Sequence, residues 1–406
     1  MRIFNPIRLL LICLVMLCST QRSRAFAILA HEAIIDAEWE KCLKPALLAK
    51  YPSTTPEGLK KAHAYAYGGC LMPDMGYMPF GDQYFTNLVH YVRTGDFVSE
   101  LINQAKNVNQ YAFALGALSH YMADEYGHSI ATNKTVPVVY PNLQKEFGNT
   151  VTYGDDHSSH SRIEFAYDVL QTAQGHYATI AYHDFIGFEI DSALLANAFM
   201  KIYGEDLNVV FPNYSSTVST FRWGVRDLVP ALIRQAWRLK KAEIKKNDHT
   251  ASRSTFRYRM SRRQFNKEFG NDYIRPSFKA RAIAFIIAIL PKIGPLKKLK
   301  FKDPGPEGEK LFNAGIDSIL VHYTAAVELA ANKKSKLKDI DYDTGKPTAL
   351  NEYKLTDDTY KQWLESLQKQ NFINADDALK QNLAKFYGKA DTVGLNKFTP
   401  QATTAK

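Results

Sequence analysis

Cysteine is scarce in this chain, with four residues in 406. Cys13 and Cys18 lie in the first 25 positions, so the remainder holds only Cys42 and Cys70, which can form at most one bridge. That excludes a scaffold stapled by several disulfides. Beyond the first 25 residues no apolar run is both long and uncharged enough for a membrane-crossing helix. No strand alternation is long enough to define a sheet, and no segment repeats, which removes sheet-based folds and solenoids. A recognised nucleic-acid-binding module is also missing. Apolar residues make up 46% and charged residues 23%, as in ordinary globular proteins. The periodicity that is present is helical, and the fold class read from it is all-α.

Charge is unevenly placed. The formal net charge is +10, but residues 234–302 carry 20 Lys/Arg against 4 Asp/Glu, so that stretch stands at +16 and the rest of the chain at −6. At the start, Arg2 and Arg8 flank the apolar run 9–18, which is too short to span a bilayer. In Ser23-Arg24-Ala25, Ser23 and Ala25 supply the small residues that precede a signal-peptidase cut. The expectation is cleavage after Ala25, leaving Phe26 as the mature N-terminus, with cleavage after Ala27 as the rival. The mature protein is expected to be secreted or periplasmic.

Helical spacing predicts a helix over 26–47 that contains His31. Thr54 or Thr55 caps a second helix from Pro56, expected to end at Gly68-Gly69. A Gly/Pro-rich loop over 69–82 carries Asp74 beside Pro73, and His90 follows in an apolar helix. Two helices are expected over 97–131, then a long loop over 132–156. His160 and Glu164 open the next apolar helix. His176 and His183 read as core or surface histidines. The run 280–301 is apolar and then basic, which fits either an interfacial helix or a core helix with a solvated end; its almost all-round apolar side favours burial. Short helices are expected over 357–368 and 376–386. The organisation expected is a leader over 1–25, a catalytic helical domain over 26–246, a basic and apolar helical extension over 247–334 and a polar helical region over 335–406.

The most informative stretch is Ser119–His128, SHYMADEYGH. His120, Asp124 and His128 are spaced four and four, so on an α-helix they fall within an arc of roughly 80°. A single histidine on an apolar helix is ordinarily a satisfied core residue. Two imidazoles and a carboxylate stacked on one face form the donor set of a borderline metal such as zinc. With His31, Asp74, His90, His160 and Glu164 the donors number eight, too many for one tetrahedral ion and enough for two or three.

An early His, Pro-Asp in a Gly-rich loop, a His on the next helix, His-x3-Asp-x3-His and His-x3-Glu together resemble the zinc-dependent phospholipase C family. Its relatives include the catalytic part of the glycosylphosphatidylinositol-specific phospholipase D and single-strand zinc nucleases. The resemblance covers residues 26–168 and runs more loosely to 246. It implies a helical bundle with three zinc ions. Asp74, His90, His120 and Asp124 would hold the first, and His128, His160 and Glu164 the second. The third would use His31, a bridging Asp124 and the backbone amine and carbonyl of Phe26. The implied reaction is phosphodiester hydrolysis, with Asp74 as the base that takes the proton of water. Phe26 replaces the Trp that the family prefers at that position.

The motif leaves the substrate open between a phospholipid headgroup and a single-stranded nucleic acid. The basic stretch 234–302 suits an anionic membrane surface or a phosphate backbone. Phospholipid is the first expectation, nucleic acid the second, and a non-catalytic exported metal- or lipid-binding protein the third.

Overall fold

The computed structural model describes residues 28–78, 81–247, 252, 258–272, 276–290, 301–332 and 337–388. Among them the fold is all-α. An isolated bridge between Ile340 and Pro347 is the one β-type pairing found there. The helices that build the site are α1 (Ile28–Glu38), α2 (Pro56–Leu71), α3 (Gln83–Tyr91), α4 (Thr94–Gln104), α5 (Val108–Tyr126), α6 (Asn133–Val139) and α7 (His157–Gln174). Around them stand α8 (Ile180–Ile186), α9 (Ser192–Tyr203), α10 (Phe278–Ile289), α11 (Gly305–Ala331) and α12 (Lys354–Lys369). No helix among the described residues is long and apolar enough to cross a membrane.

Short polar side chains start these helices. Thr55 Oγ1 accepts from Gly58 N–H at 3.1 Å with Pro56 in the first turn of α2. Asp82 accepts from Tyr84 N–H, Asn107 from Gln110 N–H and Asp156 from Ser159 N–H. Each side chain satisfies an N–H that the first helical turn leaves without a partner.

Gly68-Gly69 was expected to stop α2, yet the helix continues to Leu71. The glycines serve packing instead. A Cβ on Gly69 would lie 1.9 Å from Phe113 O, and one on Gly116 would lie 2.1 Å from Ala66 O. So α2 and α5 approach backbone to backbone, closer than any side chain allows. The expected loop over 132–156 also differs. It contains α6 and the helix Pro141–Phe147, with Asn133, Thr135 and Val136 buried against the bundle. The loop after α2 is a tight 3-10 turn, Met72–Tyr77, that carries Asp74.

The helix α10 divides its apolar residues between two environments. Ala280, Ile283 and Ala284 are buried, whereas Phe278, Phe285 and Ile289 are 71%, 48% and 62% exposed. The burial expected for this run therefore holds for one face only. The residues 291–300 that follow lie outside the described residues. Cys42 and Cys70 are both buried free thiols.

Replacing Gly69 with Ala forces a methyl group into the Phe113 carbonyl, and overpacking of this kind costs about 1–3 kcal/mol. Thermal unfolding of Gly69→Ala should show a midpoint several degrees lower. A midpoint equal to the parent's would mean that the α2–α5 contact is not tight.

Candidate metal centre

The donors come from six elements. His31 lies on α1, Asp74 on the 3-10 turn and His90 on α3. His120 and Asp124 lie on α5, His128 on the π-helical turn Gly127–Thr132, and His160 and Glu164 on α7. All eight are buried, none more than 3% exposed. They fall into three groups: His31 with His120 and Asp124; Asp74 with His90 and His120; and His128 with His160 and Glu164. Within each group the donor atoms lie within 4.8 Å of one another.

The spacing suits zinc. Bonds of about 2.0–2.1 Å to a tetrahedral ion place neighbouring donors about 3.3 Å apart. Asp74 Oδ1 is 3.5 Å from His90 Nε2, and His90 Nε2 is 3.4 Å from His120 Nε2. Glu164 Oε1 is 3.4 Å from His128 Nε2 and 3.0 Å from His160 Nδ1. Asp124 faces two ways. Its Oδ1 is 3.5 Å from His31 Nε2, while its Oδ2 is 3.1 Å from His120 Nε2 and 3.6 Å from His90 Nε2. A carboxylate that offers one oxygen to each neighbouring group is placed to bridge two cations.

The far nitrogens of the rings fix which atoms face inward. His90 Nδ1–H donates to Thr86 O at 2.9 Å, and His120 Nδ1–H donates to Cys70 O at 2.8 Å. His128 Nδ1–H donates to Tyr342 O at 3.0 Å, and His160 Nε2–H donates to Asn133 Oδ1 at 3.0 Å. Each bond leaves the lone pair on the nitrogen that points at the carboxylates, the tautomer a metal requires. The close α2–α5 approach is what brings Cys70 O within reach of His120.

The carboxylates complete the test. Both oxygens of Asp74, both of Asp124, and Glu164 Oε1 are buried without a hydrogen-bond donor. Buried charge without such partners is costly unless a cation or an ion pair offsets it. Burial pushes the Asp74 carboxyl up. Asp124 is as deeply buried, but the imidazoles of His120 and His128 hold it well below the ordinary carboxylate range. Burial, reinforced by His120, holds His31 well below its usual value and so favours the neutral imidazole that a metal would need. The residues present fit zinc.

Residues 31–212 match the family model described as zinc dependent phospholipase C. That segment belongs to the zinc-dependent phospholipase C family. Neither the curated proteins nor the solved structures give a match. Within this phospholipase C segment lie all eight side-chain donors. Phe26, the backbone ligand expected from the resemblance, lies outside the described residues. Asp168 holds the start of α1: its two carboxylate oxygens accept from Leu29 N–H at 3.1 Å. Sequence reading passed over Asp168, although it follows His160 and Glu164 at the same four-residue step. Asn133, Tyr342 and Asp343 were also passed over, and no motif marked them.

A second polar cluster stands apart from the phospholipase C donors. His183 on α8 is partly buried, with Nδ1 2.8 Å from Glu32 Oε2 and Nε2 4.0 Å from Asp36 Oδ2. Asp36 also accepts from Tyr67 OH and lies 3.0 Å from His63 Nε2. Burial opposes charge on His183, but the Glu32 carboxylate outweighs it and raises the imidazole from 6.5 to about 9. The cluster joins α8 to α1 and α2.

Two predictions follow from these geometries. Asp124→Asn should remove more than one zinc per chain by elemental analysis, and equal zinc in variant and parent would rule out bridging. His183 has a raised folded-state pKa, so its contribution is complete below pH 6.5 and is lost as pH rises through about 9. Denaturant titrations should find His183→Gln about 3 kcal/mol less stable than the parent near pH 6 and equal to it above about pH 9. A gap independent of pH would refute the charged pair.

Proposed function

We propose that this protein is an exported zinc-dependent phosphodiester hydrolase that cleaves phospholipid headgroups in the manner of a phospholipase C. The observation that carries the reading is the buried array of three donor groups, two of them joined through Asp124. A protein that merely stored one ion would have no need of a bridging carboxylate or of a second, separate donor group. Family membership of residues 31–212 supports the same chemistry. In this reading residues 1–25 are the leader and 26–246 carry catalysis. Residues 247–334 and 335–406 are accessory helical regions.

Zinc bound among these donors would lower the pKa of a water toward about 7 and offset the charge that gathers on the phosphoryl oxygens. Asp74 takes the proton of the attacking water. It is chosen over Asp124 because both oxygens of Asp124 are engaged by imidazoles on two sides. The water oxygen bonds to phosphorus, the phosphorus–oxygen bond to the diacylglycerol breaks, and the proton ends on the diacylglycerol oxygen. His90, His120, His128 and His160 keep their ring orientation throughout, because each is tied by its far nitrogen. The free amine of Phe26, with a pKa near 8, would add a ligand beside His31 once the leader is removed.

The lipid reading is favoured over a nucleic acid by α10. Phe278, Phe285 and Ile289 are exposed on a helix that carries Lys279 and Arg281 and no acid. Exposed apolar residues beside basic ones suit insertion at an anionic membrane surface.

The test is product analysis on the mature protein. Phosphatidylcholine should yield diacylglycerol and phosphocholine, with little turnover of single-stranded DNA, and Asp74→Asn should lower the rate about 10²–10⁴-fold. Release of choline would make the cleavage D-type, and faster turnover of DNA would replace the lipid reading with the nuclease one. A chain that keeps the residues before Phe26 should bind one zinc fewer; full zinc content in it would exclude the terminal amine as a ligand.

A further inference from the structure

We propose that the C-terminal loop 338–343, which lies outside the family-matched residues, is a positioning part of the metal centre. Tyr342 and Asp343 set the orientation of His128 directly and that of His160 through Asn133. The proposal rests on the zinc reading of the donors and is independent of the substrate.

The loop is held at one end by α4. Asp339 Oδ1 accepts from Gly95 N–H at 3.1 Å and from Asp96 N–H at 3.2 Å, which caps the first turn of that helix. Thr94 Oγ1 donates to Ile340 O at 2.9 Å, and Ile340 N–H donates to Thr94 Oγ1 at 3.0 Å. Tyr121 OH donates to Lys338 O at 3.0 Å. The fit is close: a Cβ on Gly95 would lie 2.4 Å from Lys338 O.

From that anchor the chain runs into the donor array. Tyr342 N–H donates to His90 O at 3.1 Å, and Tyr342 O accepts from His128 Nδ1–H at 3.0 Å. The Tyr342 ring lies 5.1 Å from the His90 ring and 5.7 Å from the His120 ring. Asp343 Oδ1 stands 3.8 Å from His128 Nδ1. Its Oδ2 accepts from Tyr91 OH at 2.7 Å and from Tyr353 OH at 2.5 Å. Its carbonyl accepts from Asn133 Nδ2 at 2.6 Å, and Asn133 Oδ1 in turn accepts from His160 Nε2–H at 3.0 Å. The amide of Asn133 is thereby oriented, because its nitrogen must face Asp343 O and its oxygen must face His160.

Both imidazoles of the third donor group therefore owe their tautomer and ring angle to residues about 180–210 positions later in the chain. A histidine ligand whose outer partner is removed loses orientation and basicity, and metal affinity typically falls about 10–100-fold. A loop that served only to stabilise the bundle would lower the unfolding midpoint and leave that affinity alone.

The experiment measures zinc affinity by competition with a chromophoric chelator, together with the visible spectrum of the cobalt-substituted protein. The variants are Asp343→Ala, Asn133→Ala and the milder Tyr353→Phe, which removes one hydroxyl from Asp343 and keeps the ring. Circular dichroism confirms that each is folded. The expected result is one zinc site weakened about 10–100-fold in Asn133→Ala, which removes the partner of His160, and a few-fold in Asp343→Ala and Tyr353→Phe, which loosen the loop's carbonyls without removing them, with an altered cobalt spectrum and the other sites unchanged. Folded variants with parental affinity and spectrum, differing only in unfolding midpoint, would overturn the proposal and leave the zinc reading standing. A parent chain that binds no zinc would remove both.

Discussion

The structure depends on a buried carboxylate that no hydrogen bond satisfies. Asp124 is fully buried, both its oxygens lack a donor, and imidazoles from α1, α3 and α5 crowd around it. In an apolar bundle such a group is strongly unfavourable unless positive charge sits beside it. The same holds for Asp74 and for Glu164. Three acids and five imidazoles are thus gathered where the hydrophobic effect alone would place leucine. A cation held by these donors would relieve that cost, and its binding free energy would become part of the free energy of folding.

Holding eight donors within bonding range of shared ions requires tight control of the backbone. The fold supplies it with carbonyl groups and glycines. Gly69 and Gly116 let α2 and α5 touch, and the contact puts Cys70 O against the His120 ring. Thr86 O, one turn back on the same helix, does the same for His90. Asp168 fixes the start of α1 and so the approach of His31. None of these groups is itself one of the eight donors, yet each fixes the position of one that is.

Much of this was legible in the sequence. The four-and-four ladder of His120, Asp124 and His128 and the step from His160 to Glu164 are local spacings, and helical geometry alone turns them into one face. The helix class and the Thr55 cap are local for the same reason. What failed was tertiary. Gly68-Gly69 reads as a helix end because glycine is a poor helix former, but the need for close approach outweighs a propensity cost of about 1 kcal/mol per residue. The polar stretch 132–156 reads as loop, yet Val136 is buried and Asn133 has His160 and Asp343 to bond, so the chain coils into α6 there. The all-round apolar character of α10 reads as burial, but Ala280, Ile283 and Ala284 are buried while Phe278, Phe285 and Ile289 are exposed. Tyr342 and Asp343 could not be found, since their partners are contributed by residues hundreds of positions earlier.

A loaded metal centre would also cross-link a chain with few cysteines. Cys42 and Cys70 are free, and no disulfide joins any described residues. Bound zinc would instead tie α1, α3, α5 and α7 together through their donor side chains, and the loop 338–343 is hydrogen-bonded to His90 and His128 of the same array. A tie of that kind differs from a disulfide in one physical respect. A disulfide acts largely by restricting the unfolded chain, whereas shared ligation stabilises only the geometry in which all donors converge. Selection for a working centre and selection for a stable bundle therefore act on the same atoms. The second polar cluster, Glu32 with Asp36, His63 and His183, is held instead by direct ion pairs and hydrogen bonds among its own side chains.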